Sequence, residues 1–107
     1  MNSIEISISN INKNTDIFIN TKNNTIMINN ISNPIDKETI NNLIRIIRNW
    51  ENNYDSKKSI DQETYTIKIN TDEGISVING SGTYPENYNL FKDWISELND
   101  WKNKKKT

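Results

Sequence analysis

The chain has no cysteine and no histidine, which removes thiolate nucleophiles, disulfides, imidazole bases and the usual zinc ligands. Alanine is absent as well, and only three glycines and two prolines punctuate the 107 residues. No apolar run approaches the roughly 20 residues that span a bilayer. The start, Met1-Asn2-Ser3-Ile4-Glu5, has neither the basic region nor the continuous apolar stretch of a secretory signal. A basic surplus is missing too: the formal net charge is −1, which gives no electrostatic drive toward nucleic acid. These absences predict a single cytoplasmic domain over residues 1–107, with no metal or cofactor and with no disulfide to relieve its core.

Asparagine, by contrast, makes up about a fifth of the chain, and isoleucine nearly as much. Both are encoded by A/T-rich codons, as is lysine, so the excess reads as the bias of a low-GC genome. The asparagines interleave with periodic isoleucines and form no tract, which is the pattern of a folded chain. With no secretory signal expected, Asn23-Asn24-Thr25, Asn30-Ile31-Ser32 and Asn79-Gly80-Ser81 are chance matches to a glycosylation acceptor.

Ile4, Ile6 and Ile8 alternate with Glu5, Ser7 and Ser9, the period of a half-buried strand. A second strand over Thr15 to Asn20 sets Ile17 and Ile19 against Phe18, and a third over Thr25 to Asn30 sets Ile26 and Ile28 against Met27. The turn chemistry of 21–24 joins these two. Asn33-Pro34-Ile35-Asp36 signals a helix start, with Asn33 or Asp36 as the cap. Behind it Ile40, Leu43, Ile44, Ile47, Trp50 and Tyr54 form one apolar stripe over about four turns. Tyr65, Ile67 and Ile69 make a fourth strand, Thr71-Asp72-Glu73-Gly74 a hairpin turn, and Ile75 to Asn79 a fifth strand. Leu90, Phe91, Trp94, Ile95, Leu98 and Trp101 predict a second amphipathic helix, capped by Asn87 and followed by Lys102 and Lys104.

The expected fold is α+β: a mainly antiparallel five-stranded sheet, order βββαββα, with both helices on its isoleucine face. The other face carries Glu5, Ser7, Ser9, Thr64, Thr66 and Lys68, with Phe18 and Met27 as apolar exceptions. Positions 18 and 27 sum to the same value as 20 and 25, so pairing through the turn sets the two side chains opposite each other.

Trp50 and Tyr54 closing a helix, an Asp-Glu-Gly hairpin turn at 72–74, the run Gly80-x-x-x-Tyr84-Pro85-Glu86-Asn87-Tyr88 and a short aromatic helix form a recognisable pattern. Over about residues 35 to 98 it resembles short proteins of low-GC bacteria, their phages and mobile elements that carry no assigned activity. The resemblance implies a recurring fold unit and assigns no residue a task.

Gly80-Ser81-Gly82 ahead of a helix invites a phosphate-loop reading, but no Gly-Lys-Ser/Thr follows and Pro85 interrupts the approach. The reading preferred here is that Gly80 and Gly82 let the backbone leave the sheet edge. Asp72-Glu73 and Asp93, Glu97, Asp100 have no calcium-loop spacing. Six residues remain as candidate partner contacts: Phe18 and Met27 on the open face, Arg45 and Arg48 on the first helix, and Tyr84 and Tyr88 beside the proline. The expected function is a small non-catalytic protein-binding module, of the kind represented by a phage or mobile-element inhibitor of a host protein or an immunity-type antitoxin. Self-association as a homodimer is part of that expectation. The alternative is a nucleic-acid or nucleotide binder using Arg45, Arg48, Lys68 and the lysines at 102 and 104–106.

Overall fold

Alternating isoleucines bury one face of a sheet because successive side chains of a strand point to opposite sides. The computed structural model describes residues 2–10, 13–55, 63–81 and 84–104, with the backbone alone at 54, 55 and 99–104. In it β1 (Ser3–Ser9) turns Ile4, Ile6 and Ile8 inward, none more than 4% exposed. β2 (Asn14–Asn20) and β3 (Thr25–Ile28) continue the meander, each contributing two buried isoleucines: Ile17 and Ile19, then Ile26 and Ile28. β6 (Thr64–Thr71) and β7 (Gly74–Ser81) form the later hairpin. Thr71 pairs with Gly74 across its tip, where Gly74 takes φ +140, a backbone state closed to branched residues.

The sheet has seven strands where five were expected, and the element order is ββββαβββα. The first addition is β4 (Ile31–Pro34), antiparallel to β3. Its turn is Asn29-Asn30, both at positive φ (45 and 73), the geometry of a two-residue hairpin that matches strand twist. Pro34, read as part of a helix start, instead ends an edge strand, where a missing amide hydrogen is tolerated. The second addition is β5 (Asn53–Asp55), paired parallel to β7 on the opposite edge. Across the sheet the order is β4-β3-β2-β1-β6-β7-β5, antiparallel except for the last pair.

Both helices cover the isoleucine face and share one core with it. α1 (Lys37–Ile47) is capped by Asp36, whose Oδ1 accepts from the Thr39 amide at 2.8 Å and also from the Thr39 hydroxyl. That hydrogen bonding holds the Asp36 carboxyl below its ordinary value. The helix ends at Ile47, about two turns sooner than its apolar stripe, which runs to Tyr54. Trp50 is buried after a turn closed by its amide on the Ile47 carbonyl, and Tyr54 belongs to β5. The stripe therefore overran the helix, because a turn can bury the next apolar residue as well as another helical step can. α2 (Tyr88–Lys104) lays Phe91, Trp94, Ile95 and Leu98 on the core. Its Trp94 indole donates to the Thr39 carbonyl at 3.0 Å, tying α2 to the first turn of α1. No helix of the described residues is long and apolar enough to cross a membrane. The Trp101 side chain, Gly82 and Lys105–Lys106 lie outside what is described.

Candidate functional site

With α1 and α2 on one side, the other side of the sheet stands open. The paired registers fix its rows. One row runs Met27, Phe18, Glu5, Lys68, Val77 from β3 to β7. Phe18 and Met27 face each other, as the turn arithmetic predicts, and are 40% and 41% exposed. They border a shallow concavity of about 300 Å³ whose polar rim includes Glu5, Asp16, Thr66 and Lys68.

Phe18 and Met27 are not its only apolar residues. Ile75, 67% exposed, and the half-buried Val77 also lie on this face, on β7. Their signal was in the sequence: 75 and 77 share the parity opposite to the buried Ile78.

The polar remainder of the face is largely bonded within itself. Ser7 donates to Asp16 at 3.1 Å, Thr66 to Asn79 at 3.1 Å, and Asn70 to Ser3 at 2.7 Å and to Glu5 at 3.5 Å. At one corner Asn2 donates to Asp72 at 3.0 Å, and that bond together with Lys22 holds the Asp72 carboxyl below its ordinary value.

The other candidates stand elsewhere. Arg45 is exposed on α1, and Arg48 is exposed just past its last residue as the C-cap, both in the helix layer. Lys68 is on the open face, so the three cannot form one basic surface. The Arg45 guanidinium donates to Asn42 at 3.2 Å and lines a groove of about 620 Å³ with Glu51, Tyr84 and Glu86. That groove brings Arg45 and Tyr84 together and carries both signs of charge.

Tyr84 and Tyr88 chiefly build structure. Their rings sit 4.6 Å apart, and Tyr84 also stacks on Tyr65 at 5.8 Å. Trp50 meets Phe91 edge-on at 5.2 Å in the same cluster. Tyr88 is 8% exposed and donates its hydroxyl to the Glu63 carboxylate, so it is withdrawn from the surface it was expected to offer. Burial and the neighbouring Glu63 push the Tyr88 phenol well above its ordinary value. Tyr84 remains 39% exposed, its hydroxyl held by the Glu63 backbone.

Glu63 is a hub that sequence reasoning missed. It accepts from Tyr88, from Lys92 at 2.8 Å and from Asn10 at 3.3 Å. Burial pushes its carboxyl up, but the donors from Lys92, Tyr88 and Asn10 outweigh burial and hold it below the ordinary range. A lone glutamate beside a polar run leaves no pattern that would reveal this.

Gly80 also has a reason other than the expected one. It pairs with Tyr65, and a Cβ there would collide with the Tyr65 ring. Asn87, expected to cap α2 with its side chain, spends that side chain between elements instead. It accepts from the Trp50 indole and donates to the Ile46 carbonyl at 2.8 Å, while its backbone carbonyl starts α2. No protein-family model, curated protein or solved structure matches this chain.

Proposed function

We propose that the chain is a small non-catalytic protein-binding module that engages its partner through the open face of the sheet. One observation carries the reading: the Phe18–Met27 cross-strand pair, each about two-fifths exposed, sits on a face whose polar groups are largely bonded to one another. Exposed apolar side chains grouped on a polar surface gain most from being covered, and a flexible thioether beside an aromatic ring adapts to the covering surface. A module of this kind suits the expected role of a phage or mobile-element inhibitor, or of an immunity-type antitoxin holding its toxin.

The test compares immobilised wild type, Phe18→Ser and Arg45→Ala as baits in lysate of the source cell, read by quantitative mass spectrometry. A protein retained by wild type and by Arg45→Ala but lost with Phe18→Ser supports the reading. Equal capture by all three, with circular dichroism and melting preserved, refutes it and moves the contact to the groove shared by Arg45 and Tyr84.

A further inference from the structure

The row that contains Phe18 has a symmetry of its own. From β2 to β7 it reads Phe18, Glu5, Lys68, Val77: apolar and acidic, then basic and apolar. Its midpoint is the seam between β1 and β6. A two-fold axis laid in the plane of the face, along the strands and over that seam, carries β1 onto β6 and β2 onto β7. Glu5 of one copy then meets Lys68 of the other, twice, and Phe18 meets Val77, twice. Within each copy Glu5 already neighbours Lys68 across the seam, so the four charges alternate in sign around a square.

From this complementarity we infer that the open face binds a second copy of this chain, face to face about that axis. The inference rests on the protein-binding reading of the face and adds the identity of the occupant. An isologous contact must be complementary to itself, and the inverted order of charge across the seam meets that requirement. Twisted sheets pack at about 30° to each other, which displaces Phe18 by about 4 Å along the strands but leaves the charge pairs beside the axis nearly in register. Apart from Lys68, whose partner the second copy supplies, most of the polar side chains to be covered already have partners, so covering them strands few donors. The four strands the axis overlays, β2-β1-β6-β7, at about 4.8 Å spacing and seven residues at about 3.4 Å cover roughly 450 Å² per copy. That falls below the roughly 800 Å² per partner of a standard interface, so the dimer is weak and depends on its charge pairs.

The experiment uses the full chain and two single variants, Glu5→Lys and Lys68→Glu, alone and mixed in equal amounts. Sedimentation equilibrium gives the affinities, and native mass spectrometry identifies the species. Wild type should be a reversible dimer, and each variant alone should dissociate at least about tenfold more readily, since like charges now face each other across the contact. The mixture should recover a heterodimer within a few-fold of the wild-type affinity. Recovery isolates the contact between copies, because the pairing of residues 5 and 68 inside each chain stays broken in both variants. A mixture no better than its components overturns the inference. If either variant loses its native circular dichroism, Phe18→Ser takes its place and should shift the wild-type dimer to monomer.

A wild type that stays monomeric into the millimolar range, while Phe18→Ser still loses a captured protein, removes the second copy and keeps the face as a binding surface. A wild-type dimer indifferent to Phe18→Ser and to both charge reversals removes the face from self-association.

Discussion

Gly80→Ala should be among the most damaging small substitutions in this protein. The added methyl group would overlap the ring of Tyr65, its direct partner across β6 and β7. That ring is 0% exposed and has little room to yield, with the Tyr88 ring centred 5.0 Å away and the Tyr84 ring 5.8 Å away. Overpacking of a tight core costs about 1–3 kcal/mol, and a collision with a fully buried ring belongs at the upper end. A urea slope of about 1–3 kcal/mol per molar converts about 3 kcal/mol into a midpoint lowered by roughly 1–3 M. Tyr65→Leu alone should cost about 2–4 kcal/mol, through the cavity it opens and the ring contacts it removes.

The decisive variant combines the two. Once the ring is gone the methyl group has space, and alanine in a strand is better than glycine by about 0.5–1 kcal/mol. Gly80→Ala/Tyr65→Leu should then be no less stable than Tyr65→Leu, a coupling of at least about 2 kcal/mol in the double-mutant cycle. Additive losses, or a Gly80→Ala protein within about 0.5 kcal/mol of wild type, would refute the packing account of this glycine.

Leu43→Ala, at a position 0% exposed, should cost about 2–5 kcal/mol in chemical denaturation; an unmoved midpoint would contradict the seating of α1 on the sheet. Glu63→Gln should lose stability at neutral pH, because the wild-type carboxyl is held below its ordinary value of 4.5 by the groups that bond it. A depressed carboxyl stabilises the fold above its unfolded-state value, and that contribution disappears as pH falls through the folded-state value. The gap between wild type and variant in urea midpoints should therefore be largest above about pH 4.5 and should close on acidification; a gap independent of pH would show that the charge is not what matters there.

Much of the inner face could be read from isoleucine alone. A strict period of two assigns Ile4, Ile6, Ile8, Ile17 and Ile19 to one side, and the turn at 21–24 sets Phe18 against Met27 by simple counting. What escaped depends on features that carry no period. β4 exists because Asn29 and Asn30 both adopt positive φ, which asparagine permits without announcing. β5 has only three residues and gains its pairing from β7, far along the chain. Trp50 kept the helical spacing although the helix had ended, since burial selects an apolar residue at that place whichever backbone path delivers it. The structural tasks of Gly80, Asn87 and Glu63 are set by neighbours 15 to 53 residues away in sequence, beyond the reach of local spacing.

An inner face made so largely of one residue type leaves its strands short of information about alignment. A slip of β1 against β6 by one residue would turn every isoleucine outward, but a slip by two would keep them inside. Along this seam Ile4 and Ile6 face Ile69 and Ile67, nearly interchangeable partners. The difference is made at the two ends. At one, the Asn70 side chain donates to the Ser3 hydroxyl at 2.7 Å and the Asn2 side chain to Asp72 at 3.0 Å. At the other, Asn10 reaches the Glu63 carboxylate, and Ile8 lies beside Tyr65. A two-residue slip would break both sets at once and part Glu63 from Asn10. Polar side chains at the margins of the seam thus act as alignment marks for a hydrophobic interior that cannot count its own residues.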